Sequence, residues 1–126
     1  MRDLGLRLAM FDGGNLRNAI PREAYAVFSV PKDRVKALFE YYEKYTAEVT
    51  GELSITEPDI DIAISEADPV GQVLDTKAAA GMINALQGVP NGVLAMSMAM
   101  PGLVETSTNL ASVKFDGKGK FVVTTS

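Results

Sequence analysis

The stretch "DIDIAISEAD", Asp59 to Asp68, constrains the fold more than any other part of the chain. Ile60, Ile62 and Ile64 alternate with Asp59, Asp61, Ala63 and Ser65. A period of two places the isoleucines on one face of an extended strand and the polar residues on the other. Such a strand belongs in a sheet with one buried and one wet face, as antiparallel sheets often have. Asp68-Pro69 marks its end.

The remaining elements can be set around that strand. Leu6 to Phe11 is a short apolar run that Gly13-Gly14 breaks. Ala24 to Val30 is rich in Tyr, Val and Phe and is apolar on both faces, so it reads as a central strand ended by Pro31. From Lys32 to about Thr50, Val35, Leu38, Phe39, Tyr42 and Val49 recur at helical spacing with Tyr45 beside them, and Gly51 is the expected stop. A second helix is expected from Thr76 to Gln87, capped by Asp75 or Thr76, with Ala79, Met82, Ile83 and Leu86 as its apolar stripe. Gly81 within it would permit close approach to a sheet. In "VLAMSMAMPG", Leu94, Met96, Met98 and Met100 are expected on one side and Ala95, Ser97 and Ala99 on the other. Leu103 to Phe115 and Lys120 to Thr125 read as a hairpin about Asp116-Gly117-Lys118-Gly119. The order β-β-α-β-α-β-β implies an α+β two-layer sandwich, a mainly antiparallel sheet with both helices on one face, the ferredoxin-like layout.

Composition narrows the chemistry. The chain has 126 residues, no cysteine and no histidine, and a formal net charge of −4. That length suits a single domain, 1–126, and a hydrophobic content of 47% can furnish a core. Without cysteine there is no disulfide or thiolate; without histidine the commonest general base and zinc ligand are gone. A mild acidic balance with no basic cluster speaks against a nucleic-acid surface. No run approaches the ~20 apolar residues of a membrane span. The expectation is a soluble, cytoplasmic chain with no catalytic or metal-ligating residue of its own.

Five features are candidates for function. "DGGN" lacks the following Gly-Lys-Ser/Thr of a phosphate loop and the G-x-G-x-x-G of a dinucleotide fold, so it reads as a turn needing positive φ. In "NLRNAIPRE", Asn15 and Asn18 offer amides and Arg17 and Arg22 offer planar guanidinium forks, groups suited to a peptide carboxylate or to a solvated loop. Glu57, Asp59 and Asp61 have carboxylates suited to acid–base chemistry, but an exposed strand face is their simpler role. Glu105, Thr106, Ser107, Thr108 and Asn109 hold hydroxyls with no histidine to activate them, and read as a polar strand face. The methionine run is adaptable packing material for a core or an interface.

Two stretches carry a resemblance. "RLAMFDGGNLRNAIPREAYAVFSV" and "INALQGVPNGVLAMSMAMPGLVETSTNLASV" resemble bacterial aminoacyl-histidine dipeptidases, also called cytosol non-specific dipeptidases or peptidase D. These belong to the zinc exopeptidase family that includes carnosinases and aminoacylases. The stretches lie in the family's order and together cover most of the chain. The resemblance implies a lid or dimerisation domain of ferredoxin-like fold, excised from a larger two-domain metallopeptidase whose catalytic domain carries zinc. The parent would hydrolyse Xaa-His and other dipeptides, and the lid alone would be inactive. The implied partners are the parent's catalytic domain, the dipeptide substrate and a second copy in a homodimer. Asn18, which matches the family's "N-x-I-P" motif, is the implied substrate-binding residue, with Arg17 the weaker choice. The chain departs from the pattern in two places. "FVVTTS" holds no arginine where the family has an "IRS"-like motif, and the first half of the family lid has no counterpart here. The contrasting expectation is a stand-alone ferredoxin-like binding or oligomerisation module.

Overall fold

The computed structural model describes residues 4–126. Its elements are β1 (Arg7–Gly13), β2 (Ala24–Ser29), α1 (Val35–Glu52), α2 (Thr76–Gly88), β3 (Gly92–Met96), β4 (Val104–Thr108), β5 (Leu110–Phe115) and β6 (Phe121–Thr125). Two helices and open antiparallel sheets make this an α+β chain, the class the sequence leads one to expect. The chain divides into two compact units, one centred on Ser29–Pro69 and one made of Arg7–Phe28 with Val70–Ser126.

In the first unit, a 3-10 turn at Lys32–Arg34 leads into α1. Leu38 is its buried residue, and Tyr42, Thr46, Val49 and Thr50 continue the less exposed face. Val35, Phe39 and Tyr45, placed on or beside the apolar stripe by spacing, are exposed. Tyr45 instead stacks on Tyr41 with ring centroids 6.1 Å apart. Gly51 does not stop the helix; it lies in the last turn, and Leu53 closes it by donating to the Val49 carbonyl.

The strand expected at Asp59–Ser65 is absent as a ladder. Its alternation survives: Ile60, Ile62 and Ile64 are half-buried while Asp59, Asp61, Ala63 and Ser65 are exposed. What attaches it within this unit is a side chain, since the Tyr42 hydroxyl donates to the Ile62 carbonyl at 2.6 Å. Period-two patterning fixes which way side chains point; a ladder also needs a second strand at the right distance.

The second unit is built on a four-stranded sheet in the order β2-β1-β5-β6. β5 is antiparallel to both neighbours, with Phe11 opposite Phe115, Gly13 opposite Val113 and Phe115 opposite Phe121. Its alternate residues Ala111, Val113 and Phe115 are buried and, with Ala9 of β1 and Met82 of α2, form the core of this unit. On the other face Asp12 and Lys114 stand opposite one another and form an ion pair. β2 is an edge strand rather than a central one, and its first three residues are exposed. Aromatic and β-branched content signals a strand but not its place in the sheet.

α2 starts where capping chemistry sets it: the Asp75 carboxylate accepts from the backbone N–H groups of Lys77 and Ala78 at 2.9 and 3.1 Å. Ala79, Met82 and Leu86 form its inner stripe; Ile83 is exposed. Gly81 serves no close approach, for a Cβ there would meet nothing within 4 Å.

Leu103–Phe115 is not one strand. It breaks at Asn109 into β4, which pairs only with β3, and β5 in the larger sheet. All of β3 is exposed, and bulges between Val93 and Met96 interrupt the expected alternation. Beyond it the Ser97 hydroxyl accepts from the N–H groups of Ala99 and Met100, turning the chain rather than extending it. The β5–β6 hairpin is as expected, with Gly117 and Gly119 at φ +80° and +91°.

Asp75→Ala removes both cap bonds and is expected to cost about 1 kcal/mol. A urea titration followed by circular dichroism measures it; an unshifted midpoint would remove the cap from the account of this helix.

Candidate functional site

The segment between β1 and β2 leaves and re-enters the sheet through a narrow neck. The Gly14 N–H donates to the Glu23 carbonyl at 3.1 Å, closing that neck. Gly14 has φ +66°, and a Cβ there would run into the Ala111 carbonyl oxygen. Glycine is required on both counts: side chains disfavour this backbone region, and the strand behind leaves no room. The positive-φ turn expected at the glycine pair is therefore present at Gly14.

A polar chain braces the neck. The Asn15 amide donates to Glu23 Oε1 at 3.1 Å, and the Tyr25 hydroxyl donates to Glu23 Oε2 at 3.3 Å. Lys114 Nζ, paired with Asp12, also donates to Asn15 Oδ1 at 3.3 Å. Asn15, one of the four polar candidates in this segment, is thus spent on the loop itself.

At the crest, Leu16 to Ala19 form a tight turn closed by Ala19 N–H to the Leu16 carbonyl at 3.4 Å. Arg17 and Asn18 occupy its middle, both exposed. The carbonyls on either side of Asn18 are held from below. Ser126 Oγ donates to the Arg17 carbonyl and Asn109 Nδ2 to the Ala19 carbonyl, each at 2.6 Å. Asn109 and Ser126 are joined by two backbone hydrogen bonds of 2.8 and 3.1 Å. Asn91 adds a further tie, its Oδ1 accepting from the Leu110 N–H at 2.8 Å.

The structure thereby brings together pieces far apart in sequence: "NLRNAIP", the Asn91 of "PNGV" and the Asn109 that ends "VETSTN". Asn109 is not part of a polar strand face, as its neighbours suggest, but the joint between two sheets. Asn91 and Ser126 carry no signal of their own in the sequence; "PNGV" flags Asn91 only through the resemblance, whereas Asn109 is a candidate in its own right but with a different role. Glu105, Thr106 and Ser107 lie exposed on β4, and Asp59 and Asp61 lie exposed in the other unit.

The turn presents an amide and a guanidinium, groups that bind a carboxylate or a polarised carbonyl. It lies outside two surface depressions of this unit, which are lined around Gln72, Gly117 and Lys118 and contain neither Arg17 nor Asn18. Among the described residues no group of three His, Cys, Asp or Glu could hold a metal ion. With no histidine or cysteine in the chain, its residues do not fit a zinc site.

Comparison with known proteins shows what the chain is similar to. Cytosol non-specific dipeptidase of Escherichia coli is 37% identical over 111 residues, 88% of this chain. The crystal structure of aminoacylhistidine dipeptidase from Vibrio alginolyticus covers 90% of the chain with a TM-score of 0.85 and 38% identity. The chain is similar to a segment of these dipeptidases. It spans 23% of the length of each. No protein-family model matches it. The likeness covers most of the chain, 88% and 90% of it in the two comparisons.

Gly14→Ala is expected to destabilise the chain by about 2 kcal/mol or more, combining positive-φ strain with overpacking against Ala111. Thermal unfolding measures this; an unchanged melting temperature would show that the neck can relax without cost.

Proposed function

We propose that this chain is the lid domain of a dipeptidase, closing over a bound dipeptide whose reaction centre is supplied by a separate catalytic domain. The observation that carries the reading is the braced turn: an exposed Asn18 amide on a crest fixed from both sides, within a chain similar over most of its length to part of two dipeptidases. An exposed crest suits a surface that completes a site when it meets another domain.

In this reading Asn18 Nδ2 donates to the carboxylate of the dipeptide or to the oxyanion that forms at its scissile carbonyl. A donor held in place before charge develops there lowers the barrier because it need not reorganise. Arg17 adds a positive charge beside it that favours an anionic ligand. Zinc belongs to residues outside this chain, since none here fit it, and the chain alone is inactive. Xaa-His dipeptides are the proposed substrates, and the cytoplasm the proposed location.

The β3–β4 hairpin is the surface this reading assigns to a partner. Val93, Leu94, Met96, Met98 and Met100 are all exposed, an apolar surface on a two-stranded element that is marginal by itself. It fits contact with the catalytic domain or with a second copy in a homodimer. The same surface is the observation in favour of a stand-alone oligomerisation module.

In the full-length dipeptidase, Asn18→Ala is expected to lower kcat/KM by about 100-fold, the scale seen for lost oxyanion donors, with zinc content unchanged. Wild-type kinetics would remove Asn18 from the site. Leu94→Asp with Met98→Asp is expected to lower the assembly state in light scattering or to slow turnover; a variant unchanged in both would leave the hairpin without a partner.

A further inference from the structure

We infer that Asn109 is a positioning residue for Asn18, acting through the backbone of the turn with Ser126 as its counterpart. The inference rests on the placement of Asn18 at substrate given above and adds how that placement is held. Three observations lead to it. The two carbonyls that bracket Asn18, those of Arg17 and Ala19, each accept one side-chain hydrogen bond, both at 2.6 Å. The two donors come from residues paired backbone to backbone at 2.8 and 3.1 Å, so they move as one body. That body is set in turn by β5 and by Asn91, which accepts the N–H of the residue after Asn109 at 2.8 Å.

The chemistry of position 109 is specific. Its acceptor is a peptide carbonyl, so the side chain must offer an N–H. Asparagine does so on a short stem that permits little play. Aspartate has the same shape and only acceptors when ionised, and would turn an attraction into a repulsion while leaving volume unchanged. Glutamine keeps the donor but lengthens the stem and shifts the turn. Asn109 is half-buried and the Ala19 carbonyl faces a half-exposed region, so a lost bond chiefly frees the crest. A reacting group displaced by about 1 Å can lose two orders of magnitude in rate.

The test is a double-mutant cycle in the full-length dipeptidase. Asn109→Asp is expected to lower kcat/KM by about 10- to 100-fold. The loss should fall in the same parameter, kcat or KM, that Asn18→Ala affects. In an Asn18→Ala background Asn109→Asp should then cost almost nothing, because there is no longer an amide to position. Ser126→Ala, a small change at an exposed residue, should reproduce the effect on a smaller scale and serves if Asn109→Asp does not fold. Losses that simply multiply in the double variant, or that fall in the other kinetic parameter, would overturn the inference. Wild-type kinetics for Asn109→Asp and Ser126→Ala beside an impaired Asn18→Ala would overturn it while leaving Asn18 at the substrate. A silent Asn18→Ala would overturn both.

Discussion

The larger unit depends on one strand. β5 is paired on both sides, and its residues Ala111, Val113 and Phe115 are among the few buried side chains of the described residues. Everything at the candidate site is referenced to it. The Ala111 carbonyl lies where a Cβ on Gly14 would fall, so the strand dictates a glycine at the neck of the turn. Lys114, one of its outward residues, meets Asp12 and Asn15 and braces that neck from the wet face. At its start Asn109 leaves the smaller sheet and clamps the crest. A central strand is the least mobile part of a sheet, which makes it a suitable foundation for an exposed side chain held in one place.

The turn itself has no such rigidity in isolation. It holds neither helix nor ladder, and its crest is exposed. Its order is borrowed from residues 90 and 109 positions away by a few directed hydrogen bonds. Each bond to a peptide carbonyl contributes on the order of 1 kcal/mol, modest against the whole fold but large against the freedom of a four-residue turn. Polar side chains therefore set geometry here more than stability, and the apolar core sets stability without reaching the crest.

How much of this was legible in the sequence depended on the range of the interaction. Helix α2 was readable nearly to its ends, because Asp75 caps it and the stripe Ala79, Met82 and Leu86 is local. The β5–β6 hairpin was readable from its glycine-rich turn. The segment Asp59–Ser65 showed the right faces without the ladder, since alternation is local and a pairing partner is not. β2 was placed centrally from its apolar content, yet its position at the edge is decided by β1 and β5. The break at Asn109 was invisible: nothing in "VETSTNLASV" interrupts the strand pattern, and the carbonyl that the Asn109 side chain reaches lies 90 residues away. Arg17 and Asn18 were singled out as polar residues before a strand, but their joint presentation depends on clamps that no spacing rule contains.

The exposed hairpin has a chemical consequence. Met98 is 99% exposed, with Met96 and Met100 at 48% and 57%. Open thioethers are readily oxidised to sulfoxides, which turns an apolar contact surface polar. The three methionines therefore make the hairpin a built-in footprint: mild peroxide followed by mass spectrometry would mark them when bare and spare them when covered. The same reaction lets oxidative stress change the polarity of this surface directly.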